Sequence, residues 1–548
     1  MASITSRFNF IPSFPDYTGP YKVGTVDVEV PVSELPSSPK PEGREHIHTV
    51  SFRIFYPSVP ESKEKRITWL PAPQRLHVAA YAQFLGIGSA TASFLSFIPR
   101  HLHWTTIPVH KNATLQSPPP EQPRSRWPTV IFSHGLGGHR NAYSHLAGSL
   151  ASYGVVVICP EHRDHSAALS LVRDPQNQNR VFTKNTRHSV PYHNIPHTQR
   201  PDIWEKRNKQ LRIRLWEIDL LYEAILSLDR GDENLVKSNL NRSTPATALS
   251  RFTDRLDVLE PGTVIWAGHS FGASTMVQFL KSVYYSSHSS IAGMRSPLFT
   301  PRPNSAVKNQ IIPASPTILL DMWCFPLLSA ATDALFRLPL PCYAEGGRGG
   351  SGLLAVESEQ FFKWGDHLRA KARILSADPF ASEFVVENNQ FNKPYFFRVE
   401  KAAHLSQSDF AILFPWLTKK AFGSDHPERV LRLNTRAVLQ FLRVNGVRVS
   451  RTSKEDLVEG GSIEGEENDP DILGRVPADG TKKVEAWHWI DIVGMKGSKY
   501  PSELEILKKE TDKENVKKAE EEEKRMGEEM DPSAGGLVEE AVVNEGTK

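Results

Sequence analysis

The stretch 263–275, Thr-Val-Ile-Trp-Ala-Gly-His-Ser-Phe-Gly-Ala-Ser-Thr, leaves the backbone few paths. A short apolar run enters Gly268-His269-Ser270-Phe271-Gly272, and small residues then open an apolar helix-like segment. Strand, sharp turn and helix in that order are the parts of a nucleophile elbow, Gly-x-Ser-x-Gly. The turn strains the serine backbone, and a side chain at either flank would clash. Glycines at 268 and 272 relieve that and leave the Ser270 hydroxyl exposed at the helix N-terminus. Taken alone, the same five residues describe a glycine turn carrying a surface serine. A base, an acid and an oxyanion hole in the right chain order separate the two readings.

The surrounding chain alternates strands and helices. Residues 127–133 (Trp-Pro-Thr-Val-Ile-Phe-Ser) form a buried-type strand that runs into His134-Gly135-Leu136-Gly137-Gly138. A helix over 143–153 ends at Gly154, and 155–159 is the next strand. Further strands fall at 316–320, 352–356 and 393–399, a helix at 361–372 and an amphipathic helix at 428–443. This alternation predicts a mainly parallel, doubly wound sheet with flanking helices. Alternating segments at 22–30 and 48–57 predict antiparallel entry strands.

Two stretches, 165–202 and 286–313, read as insertions, the first a polar, histidine-rich loop or cap and the second an exposed loop rich in Ser, Pro and Arg. Its histidines (His188, His193, His197) lack metal-ligand spacing. A long helix over 203–228 carries Leu211, Leu215, Ile218, Tyr222 and Ile225 on one stripe. Arg207, Lys209, Arg212 and Arg214 read as its solvated face. The catalytic domain is therefore placed at 1–450. Beyond it, 451–548 reads as an acidic, mostly disordered tail in which Trp487 and Trp489 mark a short ordered element.

Composition narrows the functional classes. A net charge of +3 on 548 residues gives no case for nucleic acid. The tail carries roughly 11 more acidic than basic residues, leaving about +14 on the body. Cys159, Cys324 and Cys342 supply neither a disulfide framework nor a metal site, and fit a reducing compartment. The N-terminus lacks the apolar core of a secretion signal, and Ala2 stands where N-myristoylation needs glycine. These features point to the cytoplasm. The most apolar window, 76–98, is interrupted by Gly86 and Gly88 and reads as a buried or interfacial helix pair rather than a transmembrane span. Trp69, Trp104 and Trp127 flank it, as core or as lipid-surface anchors.

In open parallel sheets the reactive groups gather at the C-terminal ends of the strands. Ser270, Asp321 and His404 each follow a predicted strand, in the chain order Ser…Asp…His of the α/β-hydrolase fold. Serine needs a base, histidine is suited to that task, and a buried carboxylate fixes the imidazole tautomer. Glu357, Asp378 and Asp409 compete for the acid role, and His269 and His134 for the base. Two backbone N–H groups must face the developing oxyanion. Phe271, after the nucleophile, offers one, and the glycine loop with His134, Gly135 and Leu136 offers the other. No cofactor or metal is called for.

Phe132-Ser-His-Gly-Leu-Gly-Gly138, Glu161-His-Arg-Asp164, Gly268-His-Ser-Phe-Gly272, Leu320-Asp-Met-Trp-Cys-Phe-Pro326 and the late His404 together resemble the platelet-activating factor acetylhydrolase family, over roughly residues 17–445. The resemblance implies Asp321 as the acid, Leu136 and Phe271 as oxyanion donors, and calcium-independent hydrolysis of short or oxidised sn-2 acyl chains of glycerophospholipids. It also implies docking on a lipid surface through N-terminal apolar helices, matched loosely at 74–98. A general carboxylesterase or lipase with the same triad, and a non-catalytic interaction protein on the same fold, are the competing readings. A scaffold alone needs no Ser/Asp/His set facing a glycine loop, which argues against the last.

Overall fold

The computed structural model describes residues 14–495 apart from 43, 45, 97–100, 178–186, 293, 295, 380–392, 416–419, 421–427, 458, 462–467, 475–483 and 493–494. Nine strands carry the sheet: β1 (Lys22–Pro31), β2 (Thr49–Ser58), β3 (Trp127–Ser133), β4 (Val156–Pro160), β5 (Ile265–His269), β6 (Thr317–Leu320), β7 (Leu353–Ser358), β8 (Tyr395–Val399) and β9 (Trp487–Trp489). Their order is β1-β2-β4-β3-β5-β6-β7-β8-β9, with two-residue strands at His110–Lys111 and Leu256–Asp257 added beside β1 and β3. From β4 to β8 every pairing is parallel, whereas the pairings β1–β2, β2–β4 and β8–β9 are antiparallel. That order, with its reversal at β4 and β3 and a sharp turn after β5, is the α/β-hydrolase fold expected from the strand–helix alternation.

The parallel strands are apolar on both faces because helices cover both. Ile131, Ile158 and Trp266 point into one layer, packed by the helix α3 (Pro201–Asp229) and by Phe271, Met276 and Phe279 of α4 (Phe271–Tyr284). Val130, Phe132, Val157, Ile265 and Ala267 point into the other, against α2 (Ser144–Ser152) and α6 (Arg429–Val444). Helix α5 (Gly365–Leu375) closes the β6–β8 end of the first face with Leu368 and Ile374.

Several expectations need correction. The segment 165–202 is not a plain loop: Leu169–Arg173 pairs antiparallel with Arg187–Pro191 as a hairpin. Within 286–313, Val307, Gln310 and Ile311 are buried, so that insertion is anchored rather than wholly exposed. Arg207 and Arg214 are fully buried, not solvated. The boundary at 450 also moves. Ile472, Val484 and Trp487 enter the core, β9 extends the sheet beside β8, and Arg436 pairs with Asp469. Acidic composition does not prevent ordering where a few large apolar side chains find a sheet edge to cover. Disorder expected for the rest of the tail concerns residues outside those described. Of the three tryptophans near the apolar window, Trp69 and Trp127 are core, while Trp104 is 54% exposed.

Candidate active site

The elbow forms where β5 meets α4. Ser270 sits between them with φ +56° and ψ −122°, a conformation L-residues avoid unless the surroundings impose it. Its N–H donates to Leu320 O at 2.9 Å, and its carbonyl accepts from Trp323 N–H at 3.2 Å. The flanking glycines are required by close approach. A Cβ on Gly268 would lie 2.5 Å from the Gly272 carbonyl carbon, and one on Gly272 would lie 2.0 Å from Ser133 O.

The sheet order then brings the expected partners together. Asp321 follows β6, adjacent to β5, and His404 follows β8. His404 Nε2 stands 2.9 Å from Ser270 Oγ, and His404 Nδ1 stands 3.0 Å from Asp321 Oδ2. The second carboxylate oxygen of Asp321 accepts from Ser358 N–H at 2.6 Å. Burial opposes ionisation of Asp321, but the hydrogen bond from His404 and the nearby positive charge hold its pKa below the usual carboxylate range. The His404 ring is sandwiched between Phe361, at 4.1 Å and 3° from parallel, and His269, at 4.4 Å.

The competing residues do other work. Asp409 accepts from Trp69 Nε1 at 2.9 Å and from the Ser144 and His145 N–H groups at 2.8 and 3.0 Å, capping α2. Glu357 pairs with Lys371. Asp378 lies at the end of α5, where its carbonyl accepts from Ser376. His269 Nδ1 accepts from Tyr143 OH at 2.7 Å, and burial drives its pKa far below normal, so it is neutral. His134 holds Gly135 O through Nδ1 and accepts His162 N–H through Nε2, and burial pushes its pKa down to about 4. His269, Asp321 and His404 are close enough to form a metal-ligand cluster. Asp321 and His404 bind one another, His404 also meets Ser270, and His269 Nδ1 is engaged by Tyr143, while His269 Nε2 has no partner among the described residues.

The glycine loop faces Ser270: a Cβ on Gly135 would meet Ser270 Cβ at 2.9 Å. Within the loop, Gly135 N–H donates to Tyr143 OH, Gly137 N–H to Ser166 O and Gly138 N–H to Gly135 O. Leu136 N–H is left without an acceptor among the described residues, as is Phe271 N–H at the first turn of α4.

Sequence reasoning missed what holds this loop in place. Arg214, from α3, donates to His134 O at 2.8 Å and to Asp164 Oδ2 at 2.8 Å, and its guanidinium lies 4.4 Å from the Phe271 ring. Arg207, two turns earlier on α3, lies 4.9 Å from the Trp323 ring. Trp323 packs edge-on against Phe271 and stacks on Phe325, while the exposed His197 meets it edge-on at 4.9 Å. An aromatic wall therefore borders the serine. The arrangement can transfer an acyl group: a hydroxyl beside a base, a base beside a carboxylate, and two open amides across from them.

A family model described as platelet-activating factor acetylhydrolase, isoform II, matches residues 8–463. A putative phospholipase A2 of Schizosaccharomyces pombe is 30% identical over 452 residues, which is 79% of this chain and 92% of that protein. The platelet-activating factor acetylhydrolase of Cavia porcellus is 28% identical over 269 residues, 49% of this chain and 52% of its own length. A solved ferulic acid esterase from Streptomyces cinnamoneus, 15% identical, superposes with a TM-score of 0.41 over 81% of this chain and 98% of that one, too loose a likeness to carry weight.

Proposed function

The chain belongs to the platelet-activating factor acetylhydrolase isoform II family and is a lipid ester hydrolase; from that premise we propose that it is a serine esterase acting on 1-alkyl-2-acetylglycerophosphocholine-type or oxidised phospholipids, with Ser270, His404 and Asp321 as its triad. The observation that carries the mechanism is the unbroken contact Ser270 Oγ to His404 Nε2 (2.9 Å) and His404 Nδ1 to Asp321 Oδ2 (3.0 Å).

Ser270 Oγ attacks the sn-2 carbonyl carbon while its proton passes to His404 Nε2. Asp321 stabilises the imidazolium, and the carbonyl oxygen, now negative, takes hydrogen bonds from Leu136 and Phe271 N–H. Collapse breaks the bond to the glycerol oxygen, which leaves with the proton from Nε2 as a lysophospholipid. Water then attacks the acyl-serine, gives its proton to His404, and releases the short carboxylic acid and Ser270. No step calls for calcium or another metal.

A lipid surface is the place we propose for this reaction. Leu76 and Phe84 of α1 (Gln74–Phe84), with Leu85, Phe94 and Trp104 after it, are exposed, more than half of the large exposed hydrophobics among the described residues. Phe84 also packs over Gly137 of the glycine loop, so the apolar segment adjoins the site. No described helix is long and apolar enough to cross a membrane. The three cysteines are unpaired and buried, consistent with the cytoplasm.

The test is hydrolysis of phosphatidylcholines carrying sn-2 chains of graded length, by wild type and by Ser270→Ala. Short chains are expected to be cleaved fastest, insensitively to chelators, and Ser270→Ala to be inactive. Hydrolysis surviving in Ser270→Ala would sink the triad. A preference for long chains would sink the substrate class.

A further inference from the structure

The triad leaves two buried ionisable groups directly behind it unused. Across β6 and β7, Leu320 pairs with Val356 and Asp321 N–H donates to Val356 O at 2.8 Å. The next residue on β7, Glu357, therefore stands beside Asp321, with the two carboxyls in hydrogen-bonding reach. Both are sealed from solvent. Two carboxylates in one dry site do not both ionise without a counter-charge. Lys371 of α5, also sealed, places its ammonium on Glu357 Oε2. The same ammonium lies 5.0 Å from the centre of the Phe361 ring, whose stacking on His404 was described above.

We propose that Glu357 and Lys371 are positioning residues, forming a buried bridge behind Asp321 that keeps its carboxylate ionised and aimed at His404. The inference rests on the triad assigned above. Burial pushes Glu357 up to about 8; Lys371 pulls against that shift and the charge of Asp321 adds to it. Burial and the neighbouring anion thus favour its uncharged form. In that form it accepts from the Lys371 ammonium and has a proton to offer Asp321, and one cation balances one anion. The other titratable groups facing the pair add no charge. Burial holds His269 and His367 far below their usual range, and pushes Cys324 up to about 12. Lys371, Glu357, Asp321 and His404 are left to set the field.

The Lys371 ammonium is no more than about 9 Å from the His404 ring, going through Phe361. A positive charge at that distance opposes a second one on the imidazole. Loss of the positive charge favours protonated His404. The acid limb of the kcat/KM profile should therefore move up by about one unit in Lys371→Met, with KM little changed. In Glu357→Gln the amide still accepts and donates, so kcat and the limb should stay near wild type. Glu357→Leu, which can do neither, should lose on the order of tenfold in kcat.

The measurement is the pH profile of the full chain on 4-nitrophenyl acetate and on an sn-2 acetyl phosphatidylcholine, with folding checked by circular dichroism. Folded Lys371→Met and Glu357→Leu variants with wild-type kcat and acid limb would overturn the proposal, as would a Gln variant as damaged as Leu. Should a single variant fail to fold, the double Glu357→Leu/Lys371→Met replaces the buried pair by apolar groups, a change folds tolerate. A raised acid limb there supports the bridge, and a wild-type limb refutes it. Ser270→Ala run alongside separates the two levels. Its inactivity with unmoved limbs sinks the bridge alone, whereas hydrolysis surviving in it sinks the triad beneath.

Discussion

Gly272→Ala tests how the elbow is assembled. The added Cβ would sit 2.0 Å from Ser133 O, 2.5 Å from Ser133 C and 2.8 Å from His134 O, all backbone atoms at the junction of β3 and the glycine loop. Reaching an ordinary 3.4 Å contact requires α4 and that junction to part by about 1.4 Å. Overpacking of this kind costs about 1–3 kcal/mol, which lowers the melting temperature by several degrees. The larger effect falls on rate. Leu136 N–H rides on the loop being pushed, whereas Phe271 N–H rides on α4, so the two oxyanion donors move apart. A misplacement near 1 Å costs roughly a hundredfold in kcat, with KM little changed. Gly88→Ala is the matched control, because a Cβ there meets nothing within 4 Å. The assays are thermal melting, 4-nitrophenyl acetate kinetics and the rate of fluorophosphonate labelling of Ser270. A Gly272→Ala variant that melts and turns over like Gly88→Ala would refute the close packing of helix on loop, and with it the placement of the oxyanion donors.

Asp321→Asn should lower kcat by about four orders of magnitude while leaving KM close to wild type, through loss of the imidazole tautomer; steady-state kinetics decide this. Arg214→Met should destabilise the fold by about 3–5 kcal/mol in urea melts, because Asp164 is left as a buried carboxylate without its cation. A chain ending at Met495 should melt and hydrolyse as the full chain does, whereas one ending at Ser450 should melt well below it. The shorter chain strips β9 from β8, the Trp487 ring from Phe397 and Asp469 from Arg436. Burial works to raise the Glu161 pKa, but Arg140, then His139 and His134, pull it down to about 2 from 4.5. A depressed carboxylate contributes stability above its unfolded pKa and loses it as pH falls through the folded one. Glu161→Gln should therefore remove about 3 kcal/mol at neutral pH and flatten the stability curve between pH 4.5 and 2.

Much of the site was legible because its chemistry leaves local marks. The elbow requires glycine at 268 and 272, and the loop must be thin at Gly135, where a Cβ would press on Ser270. Chain order and strand ends then select His404 and narrow the acid to a carboxylate after a late strand, without any knowledge of how the sheet is ordered. The choice between Asp321 and Glu357 was not legible from the residues. Both follow apolar parallel strands, and only their pairing across β6 and β7 shows that they are neighbours in one charge system. The tail boundary lies elsewhere for another reason: composition averaged over 98 residues hides the three-residue strand Trp487-His488-Trp489, which covers a sheet edge.

The two arginines of α3 carry their burial in their spacing. Arg207, Leu211, Arg214 and Ile218 recur at spacings of four, three and four, so the arginines lie on the apolar stripe of α3 rather than opposite it. A charge on a buried stripe must be paired, and Glu161-His-Arg-Asp164 in the segment after β4 was the available source of anions. Arg214 takes Asp164, and from that anchored position reaches His134 O and the Phe271 ring. One side chain thus ties the loop carrying one proposed oxyanion donor to the helix carrying the other. The charged positions on α3 and the glycine loop, which look unrelated along the chain, are two ends of a single support for the proposed oxyanion site.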